Sequence, residues 1–107
     1  MSVFQVSNAD ELSRVINSAE GKLVVVDYFA TWCGPCHAIA GFFNQLAIGY
    51  ASQAIFVKVD VEAAPDVAQA HNITSMPTFH FIKGPTFLGE IKGANPQLLS
   101  STVAQHV

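Results

Sequence analysis

Residues 23–36 read L-V-V-V-D-Y-F-A-T-W-C-G-P-C. The opening run, Leu23 to Ala30, is rich in valine and aromatics and does not alternate with polar residues. Such a run predicts a strand covered on both faces. Asp27 interrupts it, and it is too short to span a bilayer. Beyond the C-G-P-C turn, Ile39, Phe42, Phe43, Leu46, Ala47 and Tyr50 fall on one stripe, which predicts a long amphipathic helix. The turn thus joins the end of a buried strand to the start of a helix, where open α/β sheets bind their ligands. Cys33 and Cys36 are the only cysteines. A C-x-x-C pair can be a dithiol that cycles to a disulfide, or half of a metal site. With His37 directly behind it, the stretch also matches a c-type haem attachment motif.

Outward from this stretch, Ser7-Asn8 followed by Asp10-Glu11 marks a helix start. Leu12, Val15, Ile16 and Ala19 keep helical spacing and Gly21 ends the run. A short strand at Phe4 to Val6 stands in front. On the C-terminal side, Ala54 to Val59 reads as a strand, and Pro65-Asp66 fits the first turn of a short helix reaching His71. T-F-H-F-I (Thr78 to Ile82) and F-L-G-E-I (Phe87 to Ile91) are strands whose short K-G-P-T connection makes them antiparallel neighbours. Asn95-Pro96, a cap followed by a first-turn proline, opens a last helix with Leu98, Leu99 and Val103 inward. This order requires an α/β fold, a central mixed β-sheet flanked by helices on both faces. No repeat or linker interrupts it, so 1–107 is expected to be a single domain.

Of the 107 residues, 50% are hydrophobic and 12% charged, enough apolar material for a core without a disulfide framework. A formal net charge of −3 argues against nucleic acid or anionic membrane as a partner. The opening M-S-V-F-Q-V-S-N has no basic segment leading into an apolar one, so no signal peptide is expected and the chain is expected to be soluble and cytoplasmic. Thiols there are kept reduced, which favours a catalytic or metal-binding pair over a structural one. Zinc needs about four ligands. Cys33, Cys36 and His37 would have to recruit a distant histidine such as His71. Haem attachment of this kind belongs to helical, usually exported proteins, and a buried strand precedes the motif here, although Met76 could serve as an axial ligand. The dithiol reading is therefore preferred to either metal reading and to a pair of thiols that never react.

The chain resembles thioredoxin over essentially its whole length. The resemblance is carried by V-V-V-D-Y-F-A-T-W-C-G-P-C at Val24 to Cys36, I-T-S-M-P-T-F at Ile73 to Phe79 and G-E-I-K-G-A-N-P at Gly89 to Pro96. The last segments look like eukaryotic, fungal-type members. The resemblance implies a thioredoxin fold and a protein-disulfide reductase serving cell redox homeostasis. It implies a monomer with no bound cofactor, recharged by thioredoxin reductase at the expense of NADPH. Its substrates would be disulfide-containing proteins such as peroxiredoxins, ribonucleotide reductase or methionine sulfoxide reductase. The sequence departs from the family at His37, where Lys or Arg is usual, at Gly41, where a proline usually kinks the helix, at Phe29, and at the Gly84-Pro85 turn. The alternatives within this fold are a redox sensor or an interaction module that does not turn over.

Only a thiolate attacks a disulfide sulfur. Cys33, at the helix start, is read as the nucleophile because free N–H groups and the helix dipole favour negative charge there. A lowered pKa at this cysteine is a familiar property of the family. Cys36, one turn in, is expected to be less exposed and to resolve the mixed disulfide. Gly34 and Pro35 keep the turn compact. Asp27 is costly in a central strand, so it must be protonated, solvated or paired. It is a satisfied buried group or, as the family suggests, a proton acceptor for Cys36. Lys58 matches a lysine beside this aspartate in relatives, or is a solvated edge lysine. By resemblance Pro77 is cis and leaves the Met76 backbone free for a substrate strand. Trp32, Gly34, Pro35, Val61, Met76, Gly93 and Ala94 would then form a shallow apolar docking surface, with Gly93 small so that the substrate can approach. Trp32 is otherwise a half-buried core aromatic. His71, His80 and His106 show no partner in sequence. Phe87 fits either a core position or an exposed one.

Overall fold

Strand β2 (Leu23–Phe29) lies at the centre of a five-stranded sheet with the order β1-β3-β2-β4-β5. The computed structural model describes residues 2–107. β1 (Val3–Val6) and β2 both run parallel to β3 (Ala54–Asp60). β4 (Thr78–Lys83) and β5 (Thr86–Lys92) close the other side antiparallel. Four helices connect them: α1 (Ala9–Ser18), α2 (Gly34–Gly49), α3 (Pro65–Ala70) and α4 (Pro96–His106).

The absence of alternation in β2 follows from its position between two cores. Leu23 and Val25 face α2 and α4, packing with Ile39, Phe43, Phe56, Phe79, Leu99 and Val103. Val24, Val26 and Tyr28 face α1 and α3, packing with Leu12, Val57, Val59 and Val67. Phe43 anchors the first core, edge-on to Phe56 at 5.3 Å and tilted on Phe79 at 5.7 Å. Truncating such a buried ring to alanine costs about 3–5 kcal/mol.

The caps fall where the sequence places them. Asn8 and Asn95 accept N–H groups of the first turns of α1 and α4, from Glu11 at 2.9 Å and Leu98 at 3.1 Å. α2 runs unbroken through Gly41, an exposed residue with open space where a side chain would be. The β4–β5 hairpin turns on Gly84, whose φ of 59° suits a tight turn in which Pro85 can follow. Leu98, expected to point inward, is 46% exposed on α4, while Leu99 and Val103 are buried. Two further readings need correction. β3 lies inside the sheet, between β1 and β2, so Lys58 is not an edge lysine. His80 does have a partner: its buried Nε2–H donates to Glu90 Oε2 at 2.8 Å across the β4–β5 register.

Candidate active site

The C-terminal end of β2 leads into α2 through Ala30, Thr31 and Trp32, and Cys33 caps the helix. Its backbone is extended, and its Sγ accepts the N–H of Cys36 at 3.1 Å. Pro35 lies in the first turn, where its missing N–H has no helical partner to lose. Cys33 and Cys36 are joined as a disulfide, their Cα atoms 5.3 Å apart.

The expected difference in exposure between the sulfurs is not found. Both cysteines are 4% exposed, because Phe29, Val61 and Met76 pack around them and Ala30. They differ instead in what they face. Cys33 Sγ lies 3.6 Å from the Met76 carbonyl oxygen. Cys36 lines a cavity of about 60 Å³ together with Asp27, Phe29, Ala30, His37, Ala40 and Lys58.

Asp27 is 3% exposed, and its Oδ1 has no hydrogen-bond partner among the described residues. Burial pushes its carboxyl up from 3.8 to about 7, with the Lys58 ammonium pulling the other way. Lys58 is Asp27's register partner on β3, and its Nζ sits 4.7 Å from the centre of the Phe29 ring. That cation–π contact was not legible in the sequence, although Phe29 stands out there as a departure.

Around the pair, Trp32 is 67% exposed, and Gly34 and Pro35 are exposed beside it. Val61 and Met76 are half-buried against the cysteines. The Met76–Pro77 peptide is cis. The Pro77 carbonyl accepts the Gly93 N–H at 2.9 Å, which ties the loop before β4 to the loop after β5. Gly93 has φ 101°, so its backbone favours glycine whatever the space around it. Ala94 follows, exposed. His37 is an exposed first-turn residue, and its Nε2 lies 2.7 Å from the Thr31 carbonyl.

Away from the sulfurs, His80 stacks edge-on to Tyr28 at 4.9 Å and to Phe87 at 5.0 Å, and His71 lies 5.9 Å away. Phe87 is thus an exposed residue (57%) resting on a buried imidazole. Among the described residues, no cluster of three His, Cys, Asp or Glu is placed to hold a metal, and no helix is long and apolar enough to cross a membrane.

A disulfide closed across the first turn of a helix at the end of a central strand, with a buried carboxyl beside the second sulfur, defines a thiol-disulfide oxidoreductase. The family profile described as Thioredoxin matches residues 3–105. Thioredoxin-2 of Saccharomyces cerevisiae is 44% identical over 105 residues, covering 98% of this chain and 99% of that one. Thioredoxin-T of Drosophila melanogaster is 40% identical over 104 residues; this covers 97% of the chain but 66% of that longer protein. The X-ray structure of Fasciola hepatica thioredoxin superposes with a TM-score of 0.94 at 38% identity, covering 97% of this chain and 99% of that one. The chain belongs to the thioredoxin family, and like its members it is a protein-disulfide reductase with a redox-active pair, Cys33–Cys36.

Proposed function

We propose that Cys33 is the attacking sulfur and Cys36 the resolving one. The observation that carries this is the Cys36 N–H aimed at Cys33 Sγ at the start of α2, where the helix dipole also favours an anion. Cys33 as thiolate attacks one sulfur of a substrate disulfide. A mixed disulfide forms and the first substrate thiolate leaves. Cys36 then gives its proton to the Asp27 carboxylate and attacks Cys33 Sγ. The Cys33–Cys36 bond forms, the bond to substrate breaks, and the second substrate thiolate departs. Two electrons have passed to the substrate, and the dithiol has become the disulfide.

Trp32, Gly34, Pro35, Val61, Met76, Pro77, Gly93 and Ala94 are the docking surface in this reading, with the Met76 backbone beside the attacking sulfur. Lys58 tempers the charge of Asp27. Thioredoxin reductase restores the dithiol with electrons from NADPH. Peroxiredoxins, ribonucleotide reductase and methionine sulfoxide reductase are the class of acceptor. The chain acts as one monomeric domain, 1–107, in electron transport in the cytoplasm.

Insulin reduction coupled to NADPH oxidation by a purified thioredoxin reductase tests the assignment. Cys33→Ser should be inert, and Cys36→Ser should accumulate a covalent mixed disulfide visible by mass spectrometry. Trapping by the Cys33 variant, or normal turnover by the Cys36 variant, would reverse or remove the assigned roles.

A further inference from the structure

We propose that Phe29 is a positioning residue for the reaction: its ring holds the Lys58 ammonium away from Asp27, which leaves the carboxyl free to exchange a proton with Cys36. This rests on the roles just given to Cys36 and Asp27. Alternate residues of a strand share a face, so Asp27 and Phe29 point to the side of β2 that α2 covers. Lys58 stands beside them on β3, with Asp27 as its register partner. All three line the cavity of about 60 Å³ that Cys36 also faces. The ammonium therefore has two attractive neighbours, a carboxyl and the negative face of a ring. It takes the ring. Nζ lies 4.7 Å from the centre of Phe29, and among the described residues Lys58 joins no ion pair. Asp27 Oδ1 is left without a hydrogen-bond partner among them.

The choice of neighbour decides what the carboxyl can do. A carboxylate closed on an ammonium binds a proton poorly. It would neither take the Cys36 proton when the disulfide forms nor hold one to return when the disulfide opens. With the ammonium kept on the ring, burial outweighs its pull and the carboxyl stands at about 7. Near neutral pH it then exchanges a proton in either direction. The other titratable groups that face Asp27 are Cys36 and His37 from α2, and its β4 neighbour, Phe79, does not titrate. Phe29 does not exchange a proton itself; it acts through Lys58 on Asp27.

Phe29→Leu tests this by removing the ring and keeping an apolar side chain. Phe29 is half-buried and lies outside both main cores, so the substitution leaves them intact. Asp27 is read directly, from the pH dependence of its carboxyl carbon by NMR in the oxidised protein, where neither cysteine titrates. Its midpoint should fall by about one pH unit in Phe29→Leu, the low end of what an approaching ammonium does. Phe29→Tyr, which keeps a ring face, should leave the midpoint in place. Water entering beside a trimmed side chain would also lower it, so the change is repeated in a Lys58→Met background. There Phe29→Leu should have no effect, because there is no ammonium to release.

Reduction by dithiothreitol reads the same proton in the chemistry. A dithiothreitol thiolate attacks Cys33 Sγ, the bond to Cys36 breaks, and Cys36 leaves with the proton of the Asp27 carboxyl. The second dithiothreitol thiol then loses its proton to solvent and closes the ring, and Cys33 departs as thiolate. That closure is intramolecular, so the opening step sets the rate. Divided by the thiolate fraction of dithiothreitol, the rate should fall as pH rises through the Asp27 midpoint. At pH 7 it should be about fivefold lower in Phe29→Leu than in wild type, from the smaller fraction of protonated Asp27. An unmoved midpoint in Phe29→Leu, an equal shift with and without Lys58, or an equal shift in Phe29→Tyr would overturn the proposal. A rate profile that Asp27→Asn leaves unchanged would instead remove the reading beneath it. A profile that Asp27→Asn flattens and Phe29→Leu leaves in place removes the part of Phe29 alone.

Discussion

Replacing Asp27 by asparagine should stabilise the protein at alkaline pH and not at acid pH. Because burial raises its carboxyl, the native state holds the proton more tightly than the unfolded chain does. The resulting penalty is absent below about pH 4, grows as pH rises, and is complete above the folded value of about 7. At about 1.4 kcal/mol per pH unit, the gap between 3.8 and about 7 corresponds to about 4 kcal/mol. Asparagine carries no charge at either end of that range. Any packing or hydrogen-bond change it introduces is the same at every pH, so the pH-dependent part of the difference isolates the carboxyl. Urea melts of the oxidised protein are the appropriate assay, since the disulfide keeps both cysteines from titrating. The stability difference, variant minus wild type, should rise by about 4 kcal/mol between pH 4 and pH 8.5. A difference that stays flat over that range would refute the argument, because it would mean that Asp27 is charged in the folded state at little cost.

Three further outcomes follow from particular residues, each read from a denaturant melt. Gly41→Ala should gain about 1 kcal/mol, since the position is mid-helix, exposed and open; a loss would show that α2 needs its glycine. Gly93→Ala should cost about 1–2 kcal/mol, because φ 101° is strained for any residue with a Cβ; a neutral change would mean that this loop relaxes freely. Glu90→Ala should cost about 1–3 kcal/mol by leaving the buried His80 Nε2–H without its acceptor; no change would mean that water replaces Glu90.

Much of this was written locally. The unbroken apolar run of β2, the asparagine caps of α1 and α4 and the short β4–β5 connection are each set by neighbours in sequence, and each could be read there. The two cysteines and their helix terminus are likewise contained in one stretch. The features that escaped depend on register between distant strands. His80 meets Glu90 because β4 and β5 pair with a bulge between Phe81 and Ile82. Lys58 meets Phe29 because of the register in which β3 pairs with β2, which no local pattern announces; its place beside Asp27 was available only through the family resemblance. The equal burial of the two cysteines escaped for the same reason: Val61 and Met76, from separate loops, pack against the cluster they form with Ala30. Gly93 was read as a matter of space, whereas its backbone angle is a reason of its own, and one residue's identity does not distinguish the two.

The hydrogen bond from Gly93 N–H to the Pro77 carbonyl has a consequence for partner choice. It fastens together the loop before β4 and the loop after β5 at the open end of the β4–β5 hairpin, beside Cys33, the proposed attacking sulfur. A chain laid across them meets a platform that is already ordered, so the conformational entropy lost on docking is lost mainly by the partner. With the docking surface proposed above, discrimination would fall on the partner's pliability: a disulfide in a segment that can straighten at little expense would be reached, and one locked in a rigid core would be passed over.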